Sequence, residues 1–186
     1  TDVVVNSFKL TAGSTEAITV KQIAVERTGT ASATDTTNIE LYDVATGSVI
    51  SSVATWDANG LATFNNLNIV LDKGQTKNYE VRLDVVGGSG LTVNADLTDG
   101  SDVRVQAIGN TYGFYITPPN SMTNGEGAAA QAIQGGSLTV TKSSSTPATG
   151  NIAAGSDIHL ATFEFDSKGE STKITSVKLA ATLGTM

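Results

Sequence analysis

Apolar residues in this chain recur mainly at every second position. Tyr79, Val81, Leu83 and Val85 alternate with Glu80, Arg82 and Asp84, which is the period of a strand with one buried and one wet face. Similar runs predict strands over residues 3–10, 17–26, 39–42, 49–56, 61–71, 91–97, 103–108 and 112–116. Within 17–26 the apolar phase changes: Ile18 and Val20 share one face, Ile23 and Val25 the other. A β-bulge produces such a change, as do two short strands in succession. Turns are marked by Gly, Asn and Asp, as in Asp57-Ala58-Asn59-Gly60 and Asp72-Lys73-Gly74-Gln75, residues that tolerate positive φ or close a turn with their own side chain. No segment keeps a 3.6-residue period. The pattern predicts an all-β, antiparallel sandwich.

The opening of the pattern returns. Residues 1–27 read TDVVVNSFKLTAGSTEAITVKQIAVER, and residues 156–182 read SDIHLATFEFDSKGESTKITSVKLAAT. Asp2 returns as Asp157, Val3 as Ile158, Val5 as Leu160, Phe8 as Phe163 and Leu10 as Phe165. After a one-residue slip in the turn, Gly13 returns as Gly169, Ile18 as Ile174 and Ile23 as Leu179. Between the two copies, residues 118–136 hold two prolines and a run of small residues, which disfavour a central strand and suit a linker. One helical turn fits 128–133, too short to be stable by itself. The organisation expected is a module at 1–118, a linker at 119–136 and a partial second module at 137–186. The chain opens in mid-pattern, so a longer parent, carrying any targeting signal elsewhere, is expected.

Composition narrows the chemistry. Aromatic residues make up 5% and charged residues 16% of the 186, so the core is aliphatic and Thr, Ser and Asn supply much of the polar surface. The net charge of −7 argues against nucleic acid, whose phosphates need a basic face, and against an anionic membrane. There is no cysteine, hence no disulfide and no thiolate metal site. No apolar run reaches the roughly 20 residues of a membrane-spanning helix.

Candidate chemistry is sparse. His159 is the only histidine and stands where the first copy has Val4, a position that tolerates an aliphatic residue; a triad or histidine–metal site is not expected there. Asp96, Asp99 and Asp102 fall close together with Gly100 between them and offer oxygen ligands of the kind calcium takes, although the order is not that of an EF-hand and a solvated acidic turn explains it equally. Asp35, Asp43, Asp57 and Asp72 are read as turn acids. Glu80 and Asp84 share a strand face with Arg82 and lack the cleft that glycoside hydrolysis requires. Tyr112, Phe114 and Tyr115 are the one aromatic cluster, a candidate sugar platform, with one of their two faces expected in the core. Trp56 is expected at the core or its rim. No enzyme is expected.

The stretch GGSLTVTKSSSTPATGNIAAGSDIHLATFEFDSKGESTKITSVKLAAT, with TNIELYDVATGSVI and GLATFNNLNIVLDKGQTKNYEVRLDV at 37–86, resembles the tandem immunoglobulin-like β-sandwich module of bacterial surface-layer-like and adhesin-type proteins. The resemblance covers most of the chain. It implies a non-enzymatic structural module of an extracellular cell-surface assembly, an array, stalk or filament; a carbohydrate- or ligand-binding module of an adhesin is the alternative. It also implies that a module opens near Leu138, so the first unit lacks its opening strand. A sandwich without an edge strand exposes unpaired N–H and C=O groups and an apolar slot. Ser137, Leu138, Thr139, Val140 and Thr141 are then the expected contact strand, donated between copies or adjacent modules.

Overall fold

The computed structural model describes residues 2–99, 102–119, 129–150, 155 and 157–180. The chain divides after Ile133 into two compact units. In the first, the strands are β1 (Val3–Thr11), β2 (Ile18–Gly29), β3 (Thr36–Asp43), β4 (Ser48–Val53), β5 (Leu61–Phe64), β6 (Ile69–Leu71) and β7 (Thr76–Val85). They continue with β8 (Thr92–Asp96), β9 (Thr98–Asp99), β10 (Asp102–Val103), β11 (Val105–Gly109), β12 (Tyr115–Ile116) and β13 (Gln131–Ala132). In the second unit, β14 (Ser137–Lys142) pairs with β15 (Phe163–Lys168). Every pairing is antiparallel, and the described residues contain no helix. The chain is all-β.

Two large sheets and the short β9–β10 ribbon build the first unit. One runs β1-β7-β3-β4; the other runs β12-β11-β2-β8-β13, with β5 and β6 also paired to β2. Their buried residues form one cluster, with Leu41, Tyr79, Val81 and Leu83 from the first sheet and Val20, Ile23, Val25 and Phe64 from the second. Two antiparallel sheets sharing one core are consistent with a β-sandwich. Each such side chain taken out of water contributes about 1.5–3 kcal/mol, which makes this cluster the main source of stability.

Alternation predicted most of these strands, and β2 shows why one reading had to be open. It is a single strand of 12 residues. Its register against β11 shifts between Gln106, opposite Gln22, and Ala107, opposite Val20. The bulge at Lys21 turns Ile23 and Val25 onto the face that Val20 already occupies, so all three are buried. Opposite the bulge, the strand predicted over 61–71 breaks into β5 and β6. Leu67 N–H donates to Lys21 O (2.9 Å), and Asn66 takes φ 56°, a left-handed turn that Asn tolerates better than most residues.

The end of the first unit departs from expectation. Gln131–Ala132 pairs with Val93 and Thr92 of β8 and Ile133 is buried, so residues 131–133 are extended rather than helical. Ladder pairing therefore enters the stretch expected as linker (119–136). Trp56 is buried as expected, and its Nε1–H donates to Thr36 Oγ1 at 2.8 Å.

Candidate functional site: the open side of the first unit

β1 ends the path of its sheet; among the described residues no strand pairs with its outer edge. Its burial shows which face looks inward. Asn6, Phe8 and Leu10 point to the core, whereas Ser7 and Lys9 are exposed. A register shift between Val4 and Asn6 lets Val5 be buried as well. Phe8 packs on Tyr79 of β7 with ring centroids 5.8 Å apart. The other sheet ends nearby in β11 and the two-residue β12.

Between these two sheet ends runs a groove of about 1040 Å³. It follows β1 from Val4 to Thr11, and Val20, Val105, Ala107 and Ile116 line its far wall. Asn6 also lines it. That side chain is 2% exposed, its Nδ2 donates to Ala95 O at 2.5 Å, and its Oδ1 has no hydrogen-bond partner among the described residues. A buried acceptor without a donor is costly.

The outward face of the same sheet is different in kind. Arg82 pairs with Glu80 (2.7 Å) and Asp2 (3.2 Å) and lies 3.4 Å over the Tyr42 ring. The Glu80 hydrogen bond is the main reason the guanidinium pKa is raised. Asp84 accepts the Asp2 N–H at 2.7 Å, the leading cause of its lowered pKa. These charges satisfy one another, and their geometry is that of a surface network with no cleft.

The three acids read as a calcium candidate are placed unevenly. Asp96 is buried; its carboxylate accepts from Thr28 Oγ1 (2.7 Å) and Asn94 Nδ2 (2.5 Å). Asp99 and Asp102 are paired opposite each other across β9 and β10, and their side chains lie outside the described residues, as does Gly100 between them. Among the described residues no group of three or more His, Cys, Asp or Glu is placed to hold a metal. Of the turn acids, Asp43 Oδ1 accepts from Ala45 and Thr46 N–H, and Asp57 Oδ1 accepts from Asn59 and Leu61 N–H. Asp35 accepts from the Ser32 hydroxyl and N–H, which lower its pKa. Asp72 differs: its N–H donates to Gln75 Oε1. His159 is exposed and within hydrogen-bond distance of Thr162 Oγ1.

Tyr112, Phe114 and Tyr115 correct an expectation. Neither face of this cluster is core: the three residues are 62%, 72% and 82% exposed. Tyr112 and Phe114 stand on the turn between β11 and β12, and Tyr115 opens β12. Gly109 N–H donates to Phe114 O there, and Glu16 Oε2 accepts from Thr111 and Tyr112 N–H. The carboxylate holds the turn's backbone while the rings face solvent.

The expected contact strand lies in the second unit. Its residues Ser137, Leu138, Thr139, Val140 and Thr141 all belong to β14, whose described residues are exposed throughout and pair with β15. Phe163 and Phe165 of β15 are exposed too. Sequence reasoning expected an apolar slot but not its walls. Val105, Ala107 and Ile116 looked like ordinary strand residues because nothing in an alternating pattern marks the last strand of a sheet. Compared with protein-family models, curated proteins and solved structures, the chain has no match.

Proposed function

We propose that this protein is a non-enzymatic structural module of a bacterial extracellular, cell-surface assembly, in which copies or adjacent modules join through β-strand contacts. On this reading the first unit is an immunoglobulin-like sandwich awaiting one edge strand, and the second unit is the opening of another such module. The observation that carries it is the groove beside β1. A free sheet edge, apolar walls and an unpartnered buried acceptor on one side of the unit form a seat for an extended chain. Mechanical joining needs only this: backbone hydrogen bonds for strength and alternate side chains for register.

Size exclusion with light scattering on the full chain, over a concentration series, tests the reading. Oligomers that grow with concentration are expected, and a monomer throughout would contradict it. Repeating the series with calcium and with chelator shows whether the acids at 96, 99 and 102 act at the joint.

The exposed Tyr112, Phe114 and Tyr115 favour a second reading, a carbohydrate-binding module, because sugars stack on exposed rings that the fold holds in place. A polysaccharide that retards the protein in affinity electrophoresis, with the retardation lost in Tyr115→Ala, would support that reading. Unchanged migration across plant, bacterial and host polysaccharides would remove it.

A further inference from the structure

The internal repeat points to an occupant for the groove beside β1. Phe163 and Phe165 of β15 repeat Phe8 and Leu10 of β1. The repeat extends to the backbone: Asp2 and Asp157 both adopt positive φ, 52° and 56°, as do only Asn38 and Asn66 besides them among the described non-glycine residues. In the second unit the repeated strand carries β14, with Lys142 opposite Phe163, Thr141 opposite Glu164, Val140 opposite Phe165 and Thr139 opposite Asp166. In the first unit β1 carries β7 on one edge and nothing described on the other. The strand that its repeat holds is the strand that β1 lacks.

We infer that residues 137–142 of a second copy lie antiparallel along the outer edge of β1, with Val140 opposite Leu10 and Lys142 opposite Phe8. This rests on the assembly reading above and fixes its partner and register. Replacing β15 by β1 puts Thr141 opposite Lys9 and Thr139 opposite Thr11. Directly opposed residues share a sheet face, so Val140 follows Leu10 into the groove while Thr141 and Lys9 face solvent. In its own hairpin Val140 is 51% exposed, and a lone two-stranded hairpin is marginal in water. Moving the strand into the groove buries Val140 and supplies β1 with ladder partners. Ser143, whose N–H donates to Thr162 O in its own hairpin, then falls opposite Ser7, next to Asn6, before the chain turns at Ser144–Ser145.

Charge agrees with this pairing. The excess negative charge lies in residues 1–133, with 14 acidic residues against 7 basic, whereas 134–186 holds 4 of each. No acid occurs between Glu126 and Asp157. Two first units repel each other, but the strand from a second unit reaches a first unit without like-charge opposition. One-way donation propagates as a filament, and reciprocal donation closes a dimer.

The absence of native cysteine makes the register directly testable by mixing two singly substituted chains under mild oxidation. Leu10→Cys with Val140→Cys is the in-register pair, and Thr11→Cys with Thr139→Cys is an independent pair that leaves the core alone. Opposed residues of an antiparallel ladder lie about 4.5–5.5 Å apart at Cα, within disulfide reach. Lys9→Cys with Val140→Cys is the out-of-register control. The inference expects mixed disulfide dimers from both in-register pairs, at least about tenfold above the control, alongside oligomers in light scattering. Oligomers without that preference would overturn the register and leave the assembly reading standing. Monomers with no cross-linking would overturn both.

Discussion

Phe8 and Phe163 occupy the same place in two copies of one motif, yet only Phe8 is buried, at 8% against 45% exposure. β1 lies on β7 and a second sheet, so its apolar face has a core to join. β15 has β14 beside it, and both strands are exposed on both faces among the described residues. The same alternation thus marks a core strand in one unit and an uncovered one in the other. A strand's pattern states which face can be buried; whether it is buried depends on what packs against it. The two units have opposite deficits, since β1 has a core but a free edge and β14 has an edge partner but no core.

Truncation at the repeated phenylalanine sharpens this contrast most. Phe8→Ala removes a packed ring and is expected to cost about 3–5 kcal/mol in denaturant unfolding of the first unit. Phe163→Ala should change the same transition by less than about 0.5 kcal/mol. Equal losses would mean that β15 is packed in solution as β1 is.

Next in size is Thr141→Pro. Ser143 N–H donates to Thr162 O, so in this register Thr141 is a hydrogen-bonded position of the ladder. Proline removes that N–H and fixes φ, and assembly should weaken by at least about tenfold in a light-scattering concentration series. First-unit stability, measured by denaturant at low concentration, should stay unchanged. Weakening of both together would place β14 inside the first unit's own fold.

Tyr79 tests the core beside Phe8. Its hydroxyl is buried without a hydrogen-bond partner among the described residues, and burial, with the Asp43 carboxylate second, pushes its pKa up to about 12. Tyr79→Phe should therefore stabilise the first unit by about 1 kcal/mol. In the unfolded chain a tyrosine ionises near pH 10. Folding holds this proton more tightly, so its contribution is complete below about pH 10 and is lost as pH rises toward 12. The variant should flatten the alkaline limb of a stability–pH curve.

The smallest effect is at Asp35, whose pKa is lowered mainly by the Ser32 hydroxyl and then by its N–H. A lowered carboxylate contributes stability above about pH 4, its unfolded value, and loses it as pH falls further. Asp35→Asn should make the acid limb shallower, read as a smaller fall in melting temperature between pH 5 and pH 3. The assembly midpoint should not move, because Asp35 does not line the groove.

Legibility in the sequence followed the same division. Strands with one wet face, such as β7, could be read from alternation alone, and the change of phase between Val20 and Ile23 marked the place of the bulge at Lys21 without telling it from two short strands. The break at Asn65–Asn66 could not be read, because Leu61, Leu67, Ile69 and Leu71 keep apolar character across it and the cause lies on another strand. Ile133 escaped detection because its neighbours are small residues that fit a linker, a helical turn or a short strand equally. The repeat and the strand at 137–141 were visible as sequence. The groove needed the structure, since its walls come from β1 and from β11 and β12, about 100 residues away. The exposed rings at 112, 114 and 115 were misjudged because alternation over five residues suggested a strand with a core face, where a turn and a two-residue strand stand.

The account turns on whether the outer edge of β1 is completed by another copy. Amide hydrogen exchange resolved over residues 4–11, at dilute and concentrated protein, measures that edge directly. The account predicts that β1 amides facing away from β7 gain protection at least about tenfold as concentration rises, and that Thr141→Pro abolishes the gain. Protection of β1 that is independent of concentration and identical in the variant would contradict it.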